Sequence, residues 1–176
     1  MVYSPREDSY LLESAVKKLA VGRFLDLGCG SGIQGLAAAE KGCRVTCSDA
    51  DPEAIEAARK AFAERGLDAE FVVGDLFEGV KGEFDCVAFN PPYLPGEKGH
   101  ADLDGGERGL KTTKRFLRGL GEHLASGGTV LLVSTSLCGQ NEELKKLLLD
   151  GGFKVSVEGT QSFFFEKLSV LKAVKK

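Results

Sequence analysis

A glycine-rich run limits the fold of this chain more than any other feature. Asp26-Leu27-Gly28-Cys29-Gly30-Ser31-Gly32 stands between an apolar segment, residues 23–27, and an alanine-rich segment, residues 32–41. Glycine lets the backbone turn tightly and lets a ligand approach without an intervening side chain. A strand, a glycine loop and a helix in this order predict the first unit of a doubly wound α/β sheet.

The rest of the chain repeats this alternation. Further strands are predicted at 44–48, 70–73, 84–89 and 129–134, and further helices at 8–19, 52–65, 113–124 and 141–149. Two last strands, 153–157 and 163–174, are joined by only a few residues around Gly159, which is too short for a parallel crossover. We therefore predict one domain, residues 1–176, with a mostly parallel seven-stranded sheet and a C-terminal antiparallel hairpin.

Composition narrows the classes of function. The net charge is -3, whereas a protein that binds a nucleic-acid backbone usually carries a basic face. The apolar runs are too short to span a bilayer and no signal-peptide core is present, so we expect a cytoplasmic protein. The five cysteines form no Cys-x-x-Cys pair. We therefore expect reduced, buried thiols and no metal site.

Acidic residues follow three of the predicted strands: Asp26, Asp49 and Asp75. Open α/β sheets bind ligands at the carboxyl ends of their strands. Asp49, about twenty residues after the glycine loop, suits the two hydroxyls of a ribose. Asp75 and Leu76 suit adenine, because the carboxylate can accept from the exocyclic amine while the apolar side chain packs against the ring.

Two cofactors fit the glycine loop. A dinucleotide would place its pyrophosphate at the helix N-terminus, using the pattern Gly-x-Gly-x-x-Gly of residues 30–35. S-adenosylmethionine has no pyrophosphate and presents an ammonium, which suits the Asp26 carboxylate better. We therefore predict S-adenosylmethionine, with Gly28 and Gly30 leaving room for it.

The turn Asn90-Pro91-Pro92-Tyr93 follows the fourth strand. Proline fixes φ and lacks an N–H, so the two prolines make a rigid turn with free carbonyls. The Asn90 side-chain oxygen and the Pro91 carbonyl can accept both hydrogens of an NH2 group, and Tyr93 can lie against the planar group that carries it. Two such acceptors draw electron density onto nitrogen and direct it at a sulfonium methyl. We predict Asn90, Pro91 and Tyr93 as catalytic residues, with Asn90 also bordering the cofactor.

No general base is apparent. His100 and His123 lie in a polar loop and near the end of a predicted helix, where surface positions are expected. Catalysis is therefore expected to depend on positioning and electrostatics.

These motifs resemble the Rossmann-like S-adenosylmethionine-dependent methyltransferases, and among them the HemK group. That group methylates the glutamine side-chain amide in the Gly-Gly-Gln tip of peptide-chain release factors. Residues 3–12 resemble the N-terminal segment of its short archaeal and eukaryotic form, which borders the cofactor. The resemblance implies that residues 1–22 border the cofactor site, with Glu7, Asp8 and Ser9 as candidate contacts. Residues 105–109 and 163–171 resemble a glycine-rich loop and the closing strand of the family.

The resemblance also implies a partner. Short members of the group work as heterodimers with a small zinc-binding activator subunit that covers an apolar sheet edge. Residues 71–73 are a candidate for such an edge.

An RNA or DNA amino-group methyltransferase, acting on adenine N6 or guanine N2, is the main alternative, because the same turn suits a base amine. The acidic balance disfavours it, and the basic stretch 111–118 reads most simply as a solvated helix face. A lysine acceptor is less suited to a turn built for a planar amine. A scaffold without catalysis is disfavoured by the intact set of Asp26, Asp49, Asp75 and Asn90, and a dehydrogenase by the missing second domain.

Overall fold

The computed structural model describes residues 4–92 and 110–176. The helices in these residues are α1 (Glu7–Leu19), α2 (Ile33–Glu40), α3 (Pro52–Glu64), α4 (Lys111–Leu120) and α5 (Gln140–Asp150). The strands are β1 (Arg23–Leu27), β2 (Arg44–Asp49), β3 (Glu70–Val73), β4 (Phe84–Phe89), β5 (Leu124–Thr135), β6 (Phe153–Ser162) and β7 (Lys167–Lys175). A short 3-10 turn, Leu137–Gly139, precedes α5.

All seven strands form one sheet in the order β3-β2-β1-β4-β5-β7-β6. The first five pair in parallel, whereas β7 is antiparallel to both β5 and β6. This confirms the predicted doubly wound sheet with its C-terminal hairpin. In the register Leu27 lies between Ser48 and Phe89, so the glycine loop, Asp49 and Asn90 leave the sheet at the same edge. We call this the carboxyl edge.

Helices cover both faces of the sheet. Side chains alternate along β5, where Leu131 and Val133 join the core under α1, α2 and α3, while Val130 and Leu132 join the core under α4 and α5. Helix α2 lies very close to β2, because a Cβ at Gly35 would be only 2.7 Å from the Cys47 sulfur. None of the helices in the described part of the chain has the length and apolar character needed to cross a membrane.

The cysteines with described side chains are free thiols, and Cys29, Cys47 and Cys86 are buried. Burial raises the pKa of the Cys86 thiol to about 12. This thiol is therefore protonated at neutral pH and packs as a small apolar side chain.

The hairpin turn lies later than the sequence predicts. We expected the turn around Gly159 and a strand beginning at Phe163. Strand β6 instead continues through Gly159 to Ser162, with a register shift at this point, and the chain turns at residues 163–166. A Cβ at Gly159 would lie 3.2 Å from the Leu11 side chain of α1. This glycine therefore marks a bulge under a close helix contact rather than a turn.

Candidate cofactor and acceptor site

The glycine loop after β1 leaves space at the carboxyl edge. Gly28, Gly30 and Gly32 have φ values of 63°, 51° and 78°, a region that disfavours residues with side chains. The Cys29 N–H donates to the Ser48 carbonyl at 3.0 Å, which ties the loop to β2. A Cβ built on Gly30 would meet no described atom within 4 Å. The loop is therefore held open in front of the α2 N-terminus, as a bound ligand requires.

Asp49 fixes the shape of this loop. Its Oδ2 accepts a hydrogen bond from the Gly30 N–H at 2.9 Å, and its Oδ1 accepts one from the Asp51 N–H at 2.9 Å. A carboxylate has about four acceptor positions, so both oxygens can still accept from the hydroxyls of a ribose. The predicted ribose contact therefore agrees with the geometry, and Asp49 has a second role in holding Gly30.

We expect Asp49→Ala to weaken cofactor binding by about 1–3 kcal/mol, or roughly 5- to 150-fold, because a charged hydrogen-bonded contact is lost. Isothermal titration with S-adenosylmethionine measures this directly. Asp51→Ala is the matched control. It also removes one carboxylate, but this side chain caps α3 by accepting from the Glu53 N–H at 2.8 Å. The control should lose stability and keep its affinity, and equal affinity in the two variants would contradict the role of Asp49.

Asp26 is buried beneath the loop. Its Oδ2 accepts from the Gly35 N–H of α2 at 2.8 Å, and the side chain is almost inaccessible to solvent. Burial raises the pKa of this carboxyl to about 8; the Gly35 hydrogen bond opposes the shift and the nearby Asp49 charge adds to it. An ammonium placed beside Asp26 would favour the ionised form. The residues present therefore fit S-adenosylmethionine, whose methionine end carries such a group.

Asp75 and Leu76 form the turn after β3. The Arg115 guanidinium of α4 donates to the Asp75 carboxylate, with Nη2–Oδ2 at 2.6 Å and Nη1–Oδ1 at 3.4 Å. This is a solvent-exposed ion pair, and such pairs contribute only about 0–1 kcal/mol. The sequence analysis missed Arg115, which lies 40 residues away along the chain. The predicted contact between Asp75 and adenine would have to share or displace this arginine.

Leu76 is the one non-glycine residue with positive φ, 54°, among those described. Its carbonyl accepts from the Ser48 Oγ at 3.3 Å, and its side chain is partly buried against the core under α4 and α5. A left-handed leucine costs about 1 kcal/mol or more. The turn holds this strained backbone at the carboxyl edge, where an apolar contact for adenine was predicted.

The acceptor turn has one oriented amide. The Asn90 Nδ2 donates to the Asp8 Oδ2 at 3.0 Å, while the Asn90 Oδ1 is buried and has no hydrogen-bond partner among the described residues. A carboxylate oxygen accepts hydrogen bonds, so contact with Asp8 assigns the NH2 to that side and directs the oxygen away from it. A buried acceptor without a donor costs about 1–3 kcal/mol. A ligand N–H would remove this cost.

Asp8 and Ser9 reach the site from the first turn of α1. The Asp8 Oδ1 accepts from the Ser9 N–H at 2.7 Å and from the Ser9 Oγ at 3.2 Å. Both residues are buried. The resemblance placed them beside the cofactor; the geometry places them between the acceptor turn and α2.

Gln34 was not predicted. Its Nε2 donates to the Ser9 carbonyl at 2.9 Å, its side chain is buried, and its Oε1 lacks a partner within the described residues. A single long polar side chain in an alanine-rich helix was the available signal. Gln34 joins the helix after the glycine loop to the segment that orients Asn90.

The remaining predicted residues are placed as follows. Pro91 is buried and Pro92 half-buried, whereas Tyr93, His100 and the loop 105–109 lie outside the described residues. His123 is not a free surface residue, because its ring stacks on Phe77 with centroids 4.6 Å apart and its Nδ1 is 3.3 Å from the Gly82 carbonyl. It lies just before β5, away from the carboxyl edge.

Comparisons with known proteins agree with this site. Residues 6–158 match the model of the methyltransferase small domain family. A Methanocaldococcus jannaschii protein, provisionally named a protein N5-glutamine methyltransferase, is 36% identical over 180 residues, which cover 98% of this chain and 91% of that protein. Ribosomal RNA small subunit methyltransferase C of Salmonella newport is 35% identical over 130 residues, which cover 73% of this chain and 35% of that enzyme.

Solved structures share the fold. The E. cuniculi Mtq2–Trm112 complex, responsible for methylation of the eRF1 translation termination factor, superposes with a TM-score of 0.77 at 23% identity and 99% coverage of both chains. A methyltransferase from Pyrococcus furiosus gives 0.73 at 22% identity, covering 99% of this chain and 88% of that one. The T. thermophilus 16S rRNA N2 G1207 methyltransferase, in complex with AdoMet and guanosine, gives 0.68 at 24% identity, covering 99% and 44%.

Proposed function

Because the chain belongs to the methyltransferase small domain family, we propose that it methylates the side-chain amide of a glutamine. The acceptor in this proposal is the glutamine of the Gly-Gly-Gln motif in a peptide-chain release factor. The chain is an S-adenosylmethionine-dependent methyltransferase. Its nearly full-length likeness to the Methanocaldococcus jannaschii protein supports the choice of glutamine.

S-adenosylmethionine supplies a methyl group on a positively charged sulfur, which is the electrophile. In the proposal Gly28 and Gly30 leave room for the cofactor, and Asp49 accepts from its ribose hydroxyls. Asp26 faces its ammonium, with Asp8 and Ser9 at the border between cofactor and acceptor. Asp75 and Leu76 contact its adenine.

The observation that carries the proposed chemistry is the Asn90 amide. Its nitrogen is held by Asp8, and its buried oxygen has no donor among the described residues. A primary amide offers two N–H donors, one for this oxygen and one for the Pro91 carbonyl. With both hydrogens held, the nitrogen is positioned for attack and its electron density rises, so no strong base is needed before transfer. Tyr93 is proposed to lie flat against the amide.

Methylation of a base amine in RNA is the second candidate, favoured by the likeness to ribosomal RNA small subunit methyltransferase C. The charges of α4 argue against it. Lys114 is paired with Glu143 at 2.6 Å and Arg115 with Asp75 at 2.6 Å, so two of its four cations are already neutralised within the chain. The remaining net charge is a weak basis for binding an RNA backbone.

We also propose a small, zinc-binding activator subunit as a heterodimer partner, and action in the cytoplasm, where release factors work. Strand β3 lies at one end of the sheet order, and its Val73 is 53% exposed. An exposed edge strand offers unpaired backbone groups to another chain. The similar E. cuniculi structure is itself a complex of two proteins.

The test is methyl transfer from labelled S-adenosylmethionine. The acceptors are a release factor with Gly-Gly-Gln, the same factor with Gln→Ala in that motif, and bulk RNA, each with and without a candidate activator. We expect label on the unmodified factor alone, and more of it with the activator. Label on RNA and on neither factor would overturn the proposed acceptor.

A further inference from the structure

The turn between β6 and β7 carries three consecutive phenylalanines, Phe163, Phe164 and Phe165, which we call the aromatic tip. Phe164 is 93% exposed and Phe165 is 85% exposed. Their rings contact each other edge to face, with centroids 4.8 Å apart. A contiguous exposed aromatic surface of this kind is typical of an interaction site.

The aromatic tip is tied to the sheet. Its turn is closed by a hydrogen bond from the Phe163 N–H to the Glu166 carbonyl at 2.7 Å, and the Glu166 carboxylate accepts from the Thr135 Oγ1 at 2.7 Å. The next residue, Lys167, makes two hydrogen bonds with Ser136, both at 2.9 Å. The base of the tip is therefore ordered before any partner arrives, which lowers the entropy cost of binding.

The aromatic tip stands at the same edge as the acceptor turn. Phe89 pairs with Leu132 of β5, and Thr135 of β5 pairs with Leu168 of β7. From a strand spacing of about 4.8 Å and a rise of about 3.3 Å per residue, Asn90 and the base of the tip are about 10–15 Å apart. A standard protein interface buries about 800 Å² on each partner, enough to cover both.

The surface beside the aromatic tip is polar and carries both signs of charge. A cavity of about 410 Å³ opens between β6, β7 and α5, lined by Ser136, Glu142, Lys145, Thr160 and Lys167 among others. Aromatic side chains next to a polar rim are characteristic of interfaces with folded proteins. This combination favours a protein partner.

We propose that the aromatic tip is the docking surface for the protein substrate. It packs against an apolar patch on that protein while the glutamine-bearing loop lies at Asn90. The inference rests on the proposed function, because it assigns the partner of the same acceptor site. It gives the enzyme a way to recognise the body of its substrate as well as the amide that is methylated.

The test compares steady-state kinetics of the wild type with a Phe164→Ser, Phe165→Ser double variant on the release factor. Both side chains are exposed, so the fold loses few contacts. We expect KM to rise about tenfold or more, as for aromatic anchors at interfaces, with kcat within about twofold and unchanged affinity for S-adenosylmethionine. Phe164→Tyr keeps the ring and should keep KM. Val21→Ser is the matched control, since Val21 is 57% exposed just before β1, at the opposite edge.

The outcomes separate the two proposals. If the wild type methylates the release factor and the double variant has the same KM, the docking assignment is wrong and the proposed function stands. If the wild type does not methylate the factor at all, both fail together. A wild-type dimer in gel filtration that the double variant converts to a monomer would assign the tip to a second copy of this chain and overturn the docking of substrate.

Discussion

We expect Asn90→Ala to lower the rate of methyl transfer by about 10²- to 10³-fold, the loss found when one preorganised polar contact at a reacting centre is removed. The variant removes the buried oxygen that receives the acceptor N–H, together with the nitrogen held by Asp8. It leaves Asp26, Asp49 and the glycine loop unchanged. Single-turnover transfer to the release factor measures the rate, and isothermal titration should find S-adenosylmethionine bound with nearly wild-type affinity.

Ser134→Ala is the control for this variant. Ser134 is also buried, and its Oγ also lacks a hydrogen-bond partner among the described residues, but it lies inside β5. We expect this change to leave the transfer rate within about twofold, because no substrate group reaches it. A similar loss of rate in both variants, or a loss of cofactor affinity in Asn90→Ala as large as in Asp49→Ala, would contradict the role of Asn90.

The second large effect is a pH dependence of cofactor binding. Burial raises the pKa of Asp26 to about 8 in the cofactor-free protein, and an ammonium beside it stabilises the ionised form. Below pH 8 the carboxyl must lose its proton when the cofactor binds. Affinity should therefore fall roughly fiftyfold between pH 8 and pH 6, the ratio of the two ionised fractions. Titration calorimetry at pH 7 in buffers of different ionisation enthalpy should find about one proton released per cofactor bound.

Asp26→Asn tests the assignment of this proton. The variant should bind S-adenosylmethionine more weakly and release no proton. The folded pKa of Asp26 lies above the unfolded value, so the stability contributed by its protonated form is lost as pH rises from about 4 to 8. The cofactor-free variant should therefore melt at a higher temperature than the wild type at pH 8 and at a similar one at pH 5. Unchanged proton release in the variant would move the titration to another group.

The sequence predicted the sheet because its signals are local. Each strand is a short apolar run, and the glycine loop and the turn after β4 follow their strands directly. The hairpin was misplaced by several residues because Gly159 reads as a turn until the Leu11 side chain is seen above it. The shift depends on a contact between α1 and β6, which no local pattern contains.

The site was predicted as a set of residues, but not as a set of contacts. Asn90 and Asp8 are 82 residues apart, and Arg115 and Asp75 are 40 apart. Only the folded sheet and the helices packed on it bring these pairs together. Strand ends therefore indicate which residues reach the carboxyl edge, while the partners that orient them depend on how α1 and α4 pack.

The contact between Asp8 and Asn90 has a consequence for where the catalytic unit begins. Strands β1 to β7 make a complete sheet without α1, and the residues proposed to hold the cofactor's ribose and ammonium, Asp49 and Asp26, would survive its removal. The Asn90 amide would then be free to rotate, and its oxygen would no longer be directed at the acceptor. A version of the protein cut at the first strand should therefore keep much of its cofactor site without being an enzyme, and α1 belongs to the minimal methyltransferase.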